Sequence, residues 1–249
     1  MNWSLIPDRR DARELMDAPG LPADEVADAY RVLQRVNRQL GNLRSLNREI
    51  ERFLNEDDLG AVRVSLLDVG SGSGDIPRAL SERLEVRKLD VTSIALDHDS
   101  TAARLARDRG LHAVQADALR LPFADRSIDL VTAVKFAHHF TGEKLHGLVA
   151  EMARVARHRV IVLDIRRHWL AYWGFVAWSR VCTRNRLVRY DGPLSVLRGF
   201  TPEELGTLGG PHREFDWTVR SYAGFQLALI GRLRPGLAVR CAGFSDRSG

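Results

Sequence analysis

The sequence predicts an α/β fold: a mostly parallel sheet of seven strands with helices on both faces. Three observations support this prediction. Apolar runs typical of buried strands alternate with helical patterns from about residue 62 to residue 165. A glycine-rich turn follows the first of these runs, as expected where a strand leads into a helix. With 249 residues, 45% hydrophobic and 28% charged, the chain fits one α/β domain with an appendage.

The apolar periodicity places the individual elements. We expect strands at 62–69, 92–97, 112–115, 128–134 and 158–164, and helices at 75–85, 99–109 and 142–156. Two later apolar segments, 215–220 and 224–231, predict a pair of antiparallel closing strands. Between them and the fifth strand, Thr201 and Pro202 predict a helix start, with Thr201 as the N-cap.

The predicted domain covers residues 59–231, preceded by a helical extension at 1–58 and followed by a loosely ordered tail at 232–249. In the extension, apolar residues recur every three or four positions from Val26 to Phe53, and Gly41-Asn42 predicts a break in the helix. The arginines lie mostly off this stripe: Arg31, Arg35, Arg38, Arg44 and Arg48. This pattern fits either a helix packed on the domain with a solvated face or a cap over a binding cleft.

An insertion at 166–199 interrupts the alternation of strands and helices. Its first part is rich in aromatic residues: Trp169, Tyr172, Trp173, Phe175 and Trp178. About 20 apolar residues are needed to span a membrane, so this segment is too short to do so. It fits a helix packed over the domain, or a hydrophobic lid or membrane-surface foot. Its second part, 190–195, predicts an ordered turn.

The glycine turn limits the kind of ligand that the domain can bind. In Gly70-Ser71-Gly72-Ser73-Gly74 the third glycine comes one residue too early for the dinucleotide pattern G-x-G-x-x-G. The Gly-Lys-Ser/Thr ending of a phosphate-binding loop is absent as well. Asp68 and Asp75 flank the turn, and their negative charge suits a nucleotide-like ligand that carries an amine and a positive sulfur rather than phosphates.

The segment from Leu66 to Asp75 resembles motif I of the class I S-adenosylmethionine (SAM)-dependent methyltransferases, whose pattern is apolar-apolar-acid-x-G-x-G-x-G. The resemblance implies a Rossmann-like fold with SAM as the cofactor. It also implies cofactor contacts from the residues of this segment: Asp68, Gly70, Ser71, Gly72 and Gly74.

Ligands of doubly wound sheets bind beyond the carboxyl ends of the strands. Asp97 ends the second predicted strand, where its carboxylate can accept hydrogen bonds from both hydroxyls of a ribose. Asp117 follows the third strand, and the resemblance assigns it to the adenine amino group. Acids at strand ends also cap helices, which is the alternative for both. We expect His98, Ala118 and Val134 to complete the cofactor pocket.

His138 and His139 follow the fourth strand and are the candidate catalytic residues. A histidine titrates near neutrality, so it can take a phenolic proton as the oxygen attacks a methyl group. Adjacent side chains diverge, which favours one of the two, and we expect it to be His139. Alternatively, both histidines shape the cofactor pocket or contact backbone.

Four residues are candidates for contact with the methyl acceptor: Asp164, Arg166, Trp169 and Asp191. Asp164 ends the fifth strand and could bind the acceptor, orient a histidine, or pair with Arg166 or Arg167. Ser195 and Arg198 are further candidates on the acceptor side.

Two resemblances point to the acceptor class. The run from Leu121-Pro122-Phe123 to His138-His139 resembles small-molecule methyltransferases, including those of quinone biosynthesis. Three further segments resemble bacterial methyltransferases encoded near type III polyketide synthases: Asp164-x-Arg166-Arg167, Asp191-Gly192 and Glu14-Leu15-Met16-Asp17. Together they imply O-methylation of a phenolic polyketide or a quinone in secondary metabolism. One alternative is C-methylation of a similar ring. The other is a non-catalytic module that binds SAM or contacts a membrane surface.

Other partners are less well supported by the sequence. The net charge of +5 is modest and the arginines are dispersed, so we expect no nucleic-acid partner. The Asn/Asp-Pro-Pro-aromatic run of amino-group methyltransferases and the Pro-Cys nucleophile of cytosine-C5 enzymes are absent. Cys182 and Cys241 lack metal-ligand spacing and are expected to be free thiols in a reducing cytoplasm. We expect no metal site and no signal peptide.

Overall fold

The computed structural model describes residues 6–18, 20–39, 41–56 and 63–234. Its helices are α1 (Ala23–Gln39), α2 (Asn42–Glu56), α3 (Asp75–Val86), α4 (Ser100–Asp108), α5 (Gly142–Val155), α6 (Trp169–Cys182), α7 (Arg186–Arg198) and α8 (Pro202–Thr207). Its strands are β1 (Arg63–Val69), β2 (Asp90–Asp97), β3 (His112–Gln115), β4 (Ile128–Val134), β5 (Ala156–Ile165), β6 (Phe215–Tyr222) and β7 (Gln226–Leu233). Short 3₁₀ turns lie at Leu15–Asp17 and Ala137–His139.

The seven strands form one sheet in the order β3-β2-β1-β4-β5-β7-β6. Strands β1 to β5 pair in parallel, whereas β7 runs antiparallel to both β5 and β6. The predicted α/β class and the closing antiparallel pair are therefore confirmed. Strand order reverses between β1 and β4, which places a crevice beyond their carboxyl ends.

Apolar cores cover both faces of the sheet. Successive strand residues point to opposite faces, so Leu66 packs with α2 and α3 while Leu67 packs with α5. In the same way, Leu130 belongs to the core that contains Leu66, and Val131 belongs to the core that contains Leu67. Burial on both faces explains why the parallel strands read as continuous apolar runs in the sequence.

The N-terminal periodicity corresponds to two helices, with the break where Gly41 and Asn42 predict it. All five predicted surface arginines are exposed. The predicted boundary between extension and domain lies at 57–62, outside the described residues, as does Val62 of the first predicted strand.

Two local predictions are wrong. Residues 190–195 form no turn but lie within α7, which Asn185 caps by accepting a hydrogen bond from the Val188 amide. Burial of Leu187, Val188 and Val196 stabilises this helix despite the Gly192-Pro193 pair. The tail does not begin at 232 either.

Arg232 and Leu233 belong to β7, where they pair with Asp216 and Phe215 of β6. The sheet ladder therefore extends two residues into the predicted tail. The remainder of that tail, 235–249, lies outside the described residues.

Candidate active site

A cavity of about 1550 Å³ lies beyond the carboxyl ends of β1, β2 and β4. The glycine turn after β1 forms one end of it, and the 3₁₀ turn that carries His138 and His139 forms the other. Helix α1 and the helices of the insertion, α6 and α7, complete the wall.

Backbone hydrogen bonds hold the glycine turn against β2. The amides of Gly70 and Ser71 donate to the Leu96 carbonyl oxygen at 2.8 and 3.0 Å. Gly70 has φ +69°, and a Cβ on it would lie 2.1 Å from the Phe136 ring. Only glycine fits here, because both the backbone conformation and the space exclude a side chain.

Asp97, at the end of β2, supports the same turn from the side of the cavity. Its Oδ2 accepts a hydrogen bond from the Gly72 amide at 2.8 Å, and its Oδ1 accepts one from the Asp99 amide at 3.0 Å. The residue is buried but lines the cavity. Each carboxylate oxygen can accept more than one hydrogen bond, so Asp97 retains acceptor capacity toward a ligand.

The structure brings most predicted cofactor residues to one end of the cavity. The lining there includes Asp68, Gly70, Ser71, Gly72, Asp97, His98, Asp117, Ala118 and Val134. Gly74 is the exception, because it caps α3 behind the turn with φ +76° and does not line the cavity. Asp117 is exposed, and its Oδ1 accepts a hydrogen bond from the Leu119 amide at 2.9 Å.

Two buried polar groups at this end fit a cationic ligand such as SAM. The Ser71 hydroxyl is buried and has no hydrogen-bond partner among the described residues. Asp68 is buried beneath the turn and accepts a hydrogen bond from the Thr132 hydroxyl at 2.6 Å. Burial raises the pKa of Asp68 to about 8. An ammonium or sulfonium nearby would favour the ionised carboxylate.

Helix α1 contributes residues that the sequence did not assign to the cofactor. The Tyr30 ring packs against the turn, such that a Cβ on Gly72 would lie 2.9 Å from it. Asn37 donates to Asp75 at 3.0 Å. The helical stripe predicted that Tyr30 is buried, but periodicity alone does not identify what a side chain packs against.

His138 is buried and held between two carboxylates. Its Nδ1 donates to Asp164 Oδ1 at 2.8 Å, and its Nε2 lies 3.5 Å from Glu14 Oε1. Burial alone would lower the pKa of His138, but Asp164 and Glu14 outweigh it and raise the pKa. Because the ring is buried and its Nδ1 is engaged by Asp164, this histidine is poorly placed to take a proton from a bound acceptor.

His139 is about a quarter exposed and faces the cavity. Its Nδ1 lies 3.4 Å from Asp17 Oδ2 and its Nε2 lies 3.7 Å from Glu14 Oε2. The two acids come from the N-terminal segment, 122 or more residues before His139. The spacing of these residues along the chain does not predict that the two acids and the histidine come together.

Lys135 is a further polar residue at the cavity that the sequence left unassigned. It follows β4 with φ +56°, an uncommon conformation for a residue with a side chain. Burial lowers the pKa of Lys135 to about 8, although Asp164 opposes the shift. Because its pKa lies near neutrality and it lies beside the cavity, Lys135 is a candidate for contact with a ligand bound there.

Of the first four acceptor candidates, namely Asp164, Arg166, Trp169 and Asp191, Asp191 alone lines the cavity. It is buried and accepts hydrogen bonds from the amides of Leu15 and Met16 at 2.6 and 3.0 Å, so it holds the N-terminal turn in place. Asp164 is fully buried behind His138, and Arg166 is exposed outside the cavity. Trp169 lies on the outer surface, next to a residue that does line the cavity, Leu170.

The remaining two candidates also differ in position. Ser195 lines the cavity and its hydroxyl donates to Glu14 Oε1 at 2.7 Å. Arg198 does not line it. Instead its guanidinium donates to the carbonyl oxygens of His138, His139 and Ala12 at 3.1, 2.7 and 2.8 Å. Arg198 thereby joins α7 to the histidine turn and to the N-terminal segment.

Comparison with known proteins agrees with this geometry. Residues 67–163 match the family model described as a methyltransferase domain. A human protein named probable tRNA methyltransferase 9B is 30% identical over 107 residues, covering 43% of this chain and 21% of that protein. The demethylmenaquinone methyltransferase of Thermus thermophilus is 32% identical over 145 residues, covering 56% of this chain and 62% of that protein. The chain thus spans about a fifth of the human relative.

Among solved structures, the plantazolicin methyltransferase BpumL in complex with S-adenosylhomocysteine (SAH) superposes with a TM-score of 0.61 at 14% identity. The superposition covers 85% of this chain and 90% of that one. At this identity the likeness concerns the fold. The matched segment is a methyltransferase-domain segment, and the fold is shared with a methyltransferase whose solved structure contains SAH.

Among the described helices, none combines the length and the apolar character needed to cross a membrane. The most aromatic of them, α6, has 14 residues.

Proposed function

We propose that this protein transfers the methyl group of SAM to a hydroxyl group of a hydrophobic aromatic small molecule. One observation carries the proposal: a single cavity joins the glycine turn and Asp97 to a pocket that ends on His138 and His139. The wall between these ends is largely apolar, with Phe136 and Phe175 among its residues. Such a pocket suits a flat, hydrophobic acceptor.

The chain's own residues account for cofactor binding. SAM, when bound, supplies an electrophilic methyl group on a sulfonium sulfur. Asp97 would accept hydrogen bonds from the ribose hydroxyls, and the backbone of the glycine turn would lie against the amino-acid portion. Asp75 lines this end of the cavity, and a bound cation would favour the ionised form of Asp68 beside it. Helices α1 and α2 would cover the bound cofactor, as the predicted N-terminal cap.

Positioning the acceptor is the main catalytic task of this chain. Holding oxygen and methyl group in line can contribute roughly 7–11 kcal/mol through proximity alone. A base adds about 10²–10⁴-fold. His139 is the histidine better placed for that role, because its side chain is 24% exposed beside the cavity, whereas that of His138 is 3% exposed and its Nδ1 lies 2.8 Å from Asp164.

The acceptor class follows from the pocket and from the relatives. The names of two of them concern demethylmenaquinone and plantazolicin, whereas that of the human relative concerns tRNA. A phenolic polyketide or quinone fits the largely apolar pocket. C-methylation of a similar ring is the alternative, since it needs the same positioning. The exposed thiol of Cys182 fits a reducing, cytoplasmic location.

The outer face of α6 supports peripheral contact with lipid. Trp169, Leu170 and Trp173 are 38, 66 and 60% exposed, and Leu170 also lines the cavity. An apolar acceptor could therefore enter from a bilayer surface beside this helix. We expect vesicles of anionic lipid to retain the protein in a flotation assay, and Trp173→Ser to release it. Val86→Ser is the control, because Val86 is an apolar residue that is 81% exposed but lies on α3.

Calorimetry with SAH tests the cofactor half of the proposal. We expect Asp97→Ala to weaken binding at least about tenfold, because a hydrogen bond to a charged group contributes about 1.5–3 kcal/mol. Asp90→Ala, at the opposite end of β2, should bind SAH as the unmodified chain does, since Asp90 is exposed. Absence of SAH binding by the unmodified chain would refute the proposal.

A methyl-transfer assay with phenols and hydroquinones tests the acceptor half, with the methylated atom located by mass spectrometry and NMR. His139→Ala should slow transfer at least about tenfold and leave SAH affinity unchanged. His146→Ala is the control, because His146 is an exposed histidine on α5. Intact SAH binding without transfer to any of these acceptors would favour the non-catalytic alternative.

A further inference from the structure

Three residues at the acceptor end of the cavity form a group that the sequence did not predict. Glu14, His138 and His139 each present one ligand atom, and these atoms lie within 4.8 Å of one another. All three line the cavity. Two imidazoles and one carboxylate are the donors that divalent transition-metal ions bind in open, catalytic sites.

The distances within this group fit a shared ion better than direct hydrogen bonds. His138 Nε2 lies 3.5 Å from one oxygen of Glu14, and His139 Nε2 lies 3.7 Å from the other. Hydrogen bonds of N–H to oxygen are shorter, mostly 2.7–3.2 Å. Two atoms that each lie about 2.1 Å from a tetrahedral Zn²⁺ are about 3.4 Å apart. Small side-chain movements would bring the group to that geometry.

The outer nitrogen of each histidine faces a second carboxylate. His138 Nδ1 donates to Asp164 at 2.8 Å, and His139 Nδ1 lies 3.4 Å from Asp17. Histidines that ligate metals usually donate their other N–H to a carboxylate, which fixes the ring and leaves Nε2 free for the ion. His138 has this arrangement, His139 has a looser form of it toward Asp17, and both Nε2 atoms lie within 3.7 Å of a Glu14 oxygen.

The balance of charge and burial also favours a cation. Glu14 and His138 are 7 and 2% exposed, and the buried Asp164 lies directly behind them. Three carboxylates, those of Glu14, Asp17 and Asp164, surround the two imidazoles, and two cations lie against them: Lys135 near Asp164 and Arg198, 3.9 Å from Asp17. With both imidazoles neutral, the group keeps one negative charge. The Ser195 hydroxyl donates to Glu14 and fixes its orientation. A divalent ion would offset this negative charge without the protonation of His138.

We propose that Glu14, His138 and His139 bind a divalent transition-metal ion of the Zn²⁺ type, with its open coordination positions facing the cavity. The role of the ion rests on the proposed function: a hydroxyl group bound to it would lose its proton more readily. In the metal-bound protein His139 is a ligand, and the ion takes over its part in activating the acceptor. Binding itself requires neither cofactor nor acceptor.

Co²⁺ is the probe of choice, because its visible absorption reports nitrogen ligation and low coordination number. Protein freed of its purification tag and of metal by dialysis against a chelator is titrated with Co²⁺, and Zn²⁺ binding is then measured by competition. We expect one equivalent to bind. Glu14→Gln and His139→Gln should each weaken binding at least about tenfold, and Asp17→Asn should weaken it about tenfold through the ligand it orients.

His146→Gln is the control, since it removes an exposed histidine outside this group. Circular dichroism and SAH affinity, both measured without metal, establish that the variants fold. A Co²⁺ spectrum that is absent, or that Glu14→Gln and His139→Gln leave unchanged, would overturn the proposed site. Because SAH binding is measured separately, its failure would refute the proposed function while leaving the metal result interpretable.

Discussion

Gly70 is a residue of the cavity wall at which both the backbone conformation and the available space exclude a side chain. Alanine there would have to adopt φ +69° and place its Cβ 2.1 Å from the Phe136 ring. The left-handed conformation costs roughly 1–2 kcal/mol, and the clash adds to it. We expect Gly70→Ala to lower the melting temperature and abolish SAH binding in calorimetry.

Gly110→Ala provides the matched control for that substitution. Gly110 has φ +77°, but a Cβ on it would meet nothing within 4 Å. It should therefore incur only the conformational cost and bind SAH normally. Equal losses in the two variants would show that the contact with Phe136 is unimportant.

Asp68 gives the cofactor-free protein a defined pH dependence. Its pKa is about 8 in the folded protein but about 3.9 in an unfolded chain. The folded state thus holds a proton that the unfolded state has lost, so stability falls as pH rises between these values and levels off above them. Asp68→Asn removes this pH dependence of stability and keeps an oxygen that accepts the hydrogen bond of the Thr132 hydroxyl.

Urea denaturation between pH 5 and pH 8 measures the effect. The free energy of unfolding of Asp68→Asn should rise relative to that of the unmodified chain by at most about 1.4 kcal/mol per pH unit. Parallel pH profiles for the two proteins would contradict the raised pKa.

At the scale of the element, the start of α8 is the local signal that the sequence predicts best. Thr201 accepts a hydrogen bond from the Glu204 amide, and the Glu204 carboxylate accepts one from the Thr201 amide. Thr201→Ala should lower the free energy of unfolding by about 0.5–2 kcal/mol, whereas Thr201→Ser, which keeps the hydroxyl, should change it little. Urea denaturation of both variants distinguishes these outcomes.

Strands and helices of the domain follow from the sequence because local pattern and burial agree there. Strands buried on both faces give apolar runs that differ from the stripes of α3 to α5. The pattern fails in α7, where Gly192 and Pro193 indicate a turn but buried Leu187 and Val196 pack the segment as a helix. Tertiary packing overrides a local turn signal of this kind, and the sequence alone does not show which segments pack together.

The two halves of the candidate site differ in how far the sequence reveals them. The cofactor end depends on residues at strand ends, such as Asp97, whose positions follow from the order of elements. The acceptor end combines Glu14, His139 and Asp191, which are distant in the chain and meet only in the folded molecule. Spacing therefore predicts the first and not the second.

On the scale of the whole molecule, the cavity couples the N-terminal helices to the sheet. Val26, Tyr30 and Val36 of α1 line the cavity opposite the glycine turn. We expect SAH to slow amide hydrogen exchange in α1, because a bound ligand lowers the population of opened states. Mass spectrometry should show no such change in α5, which packs on the other face of the sheet. Equal protection of both helices would argue against this coupling.

The contacts of Arg198 have an evolutionary consequence. This side chain holds the histidine turn through the carbonyl oxygens of residues 138 and 139, and carbonyls are present whatever side chain a residue carries. The path of the backbone is thereby largely independent of the chemistry displayed at position 139. Another side chain can therefore occupy position 139 without a rebuilt scaffold, so the way in which the acceptor is activated can change in evolution while the fold stays the same.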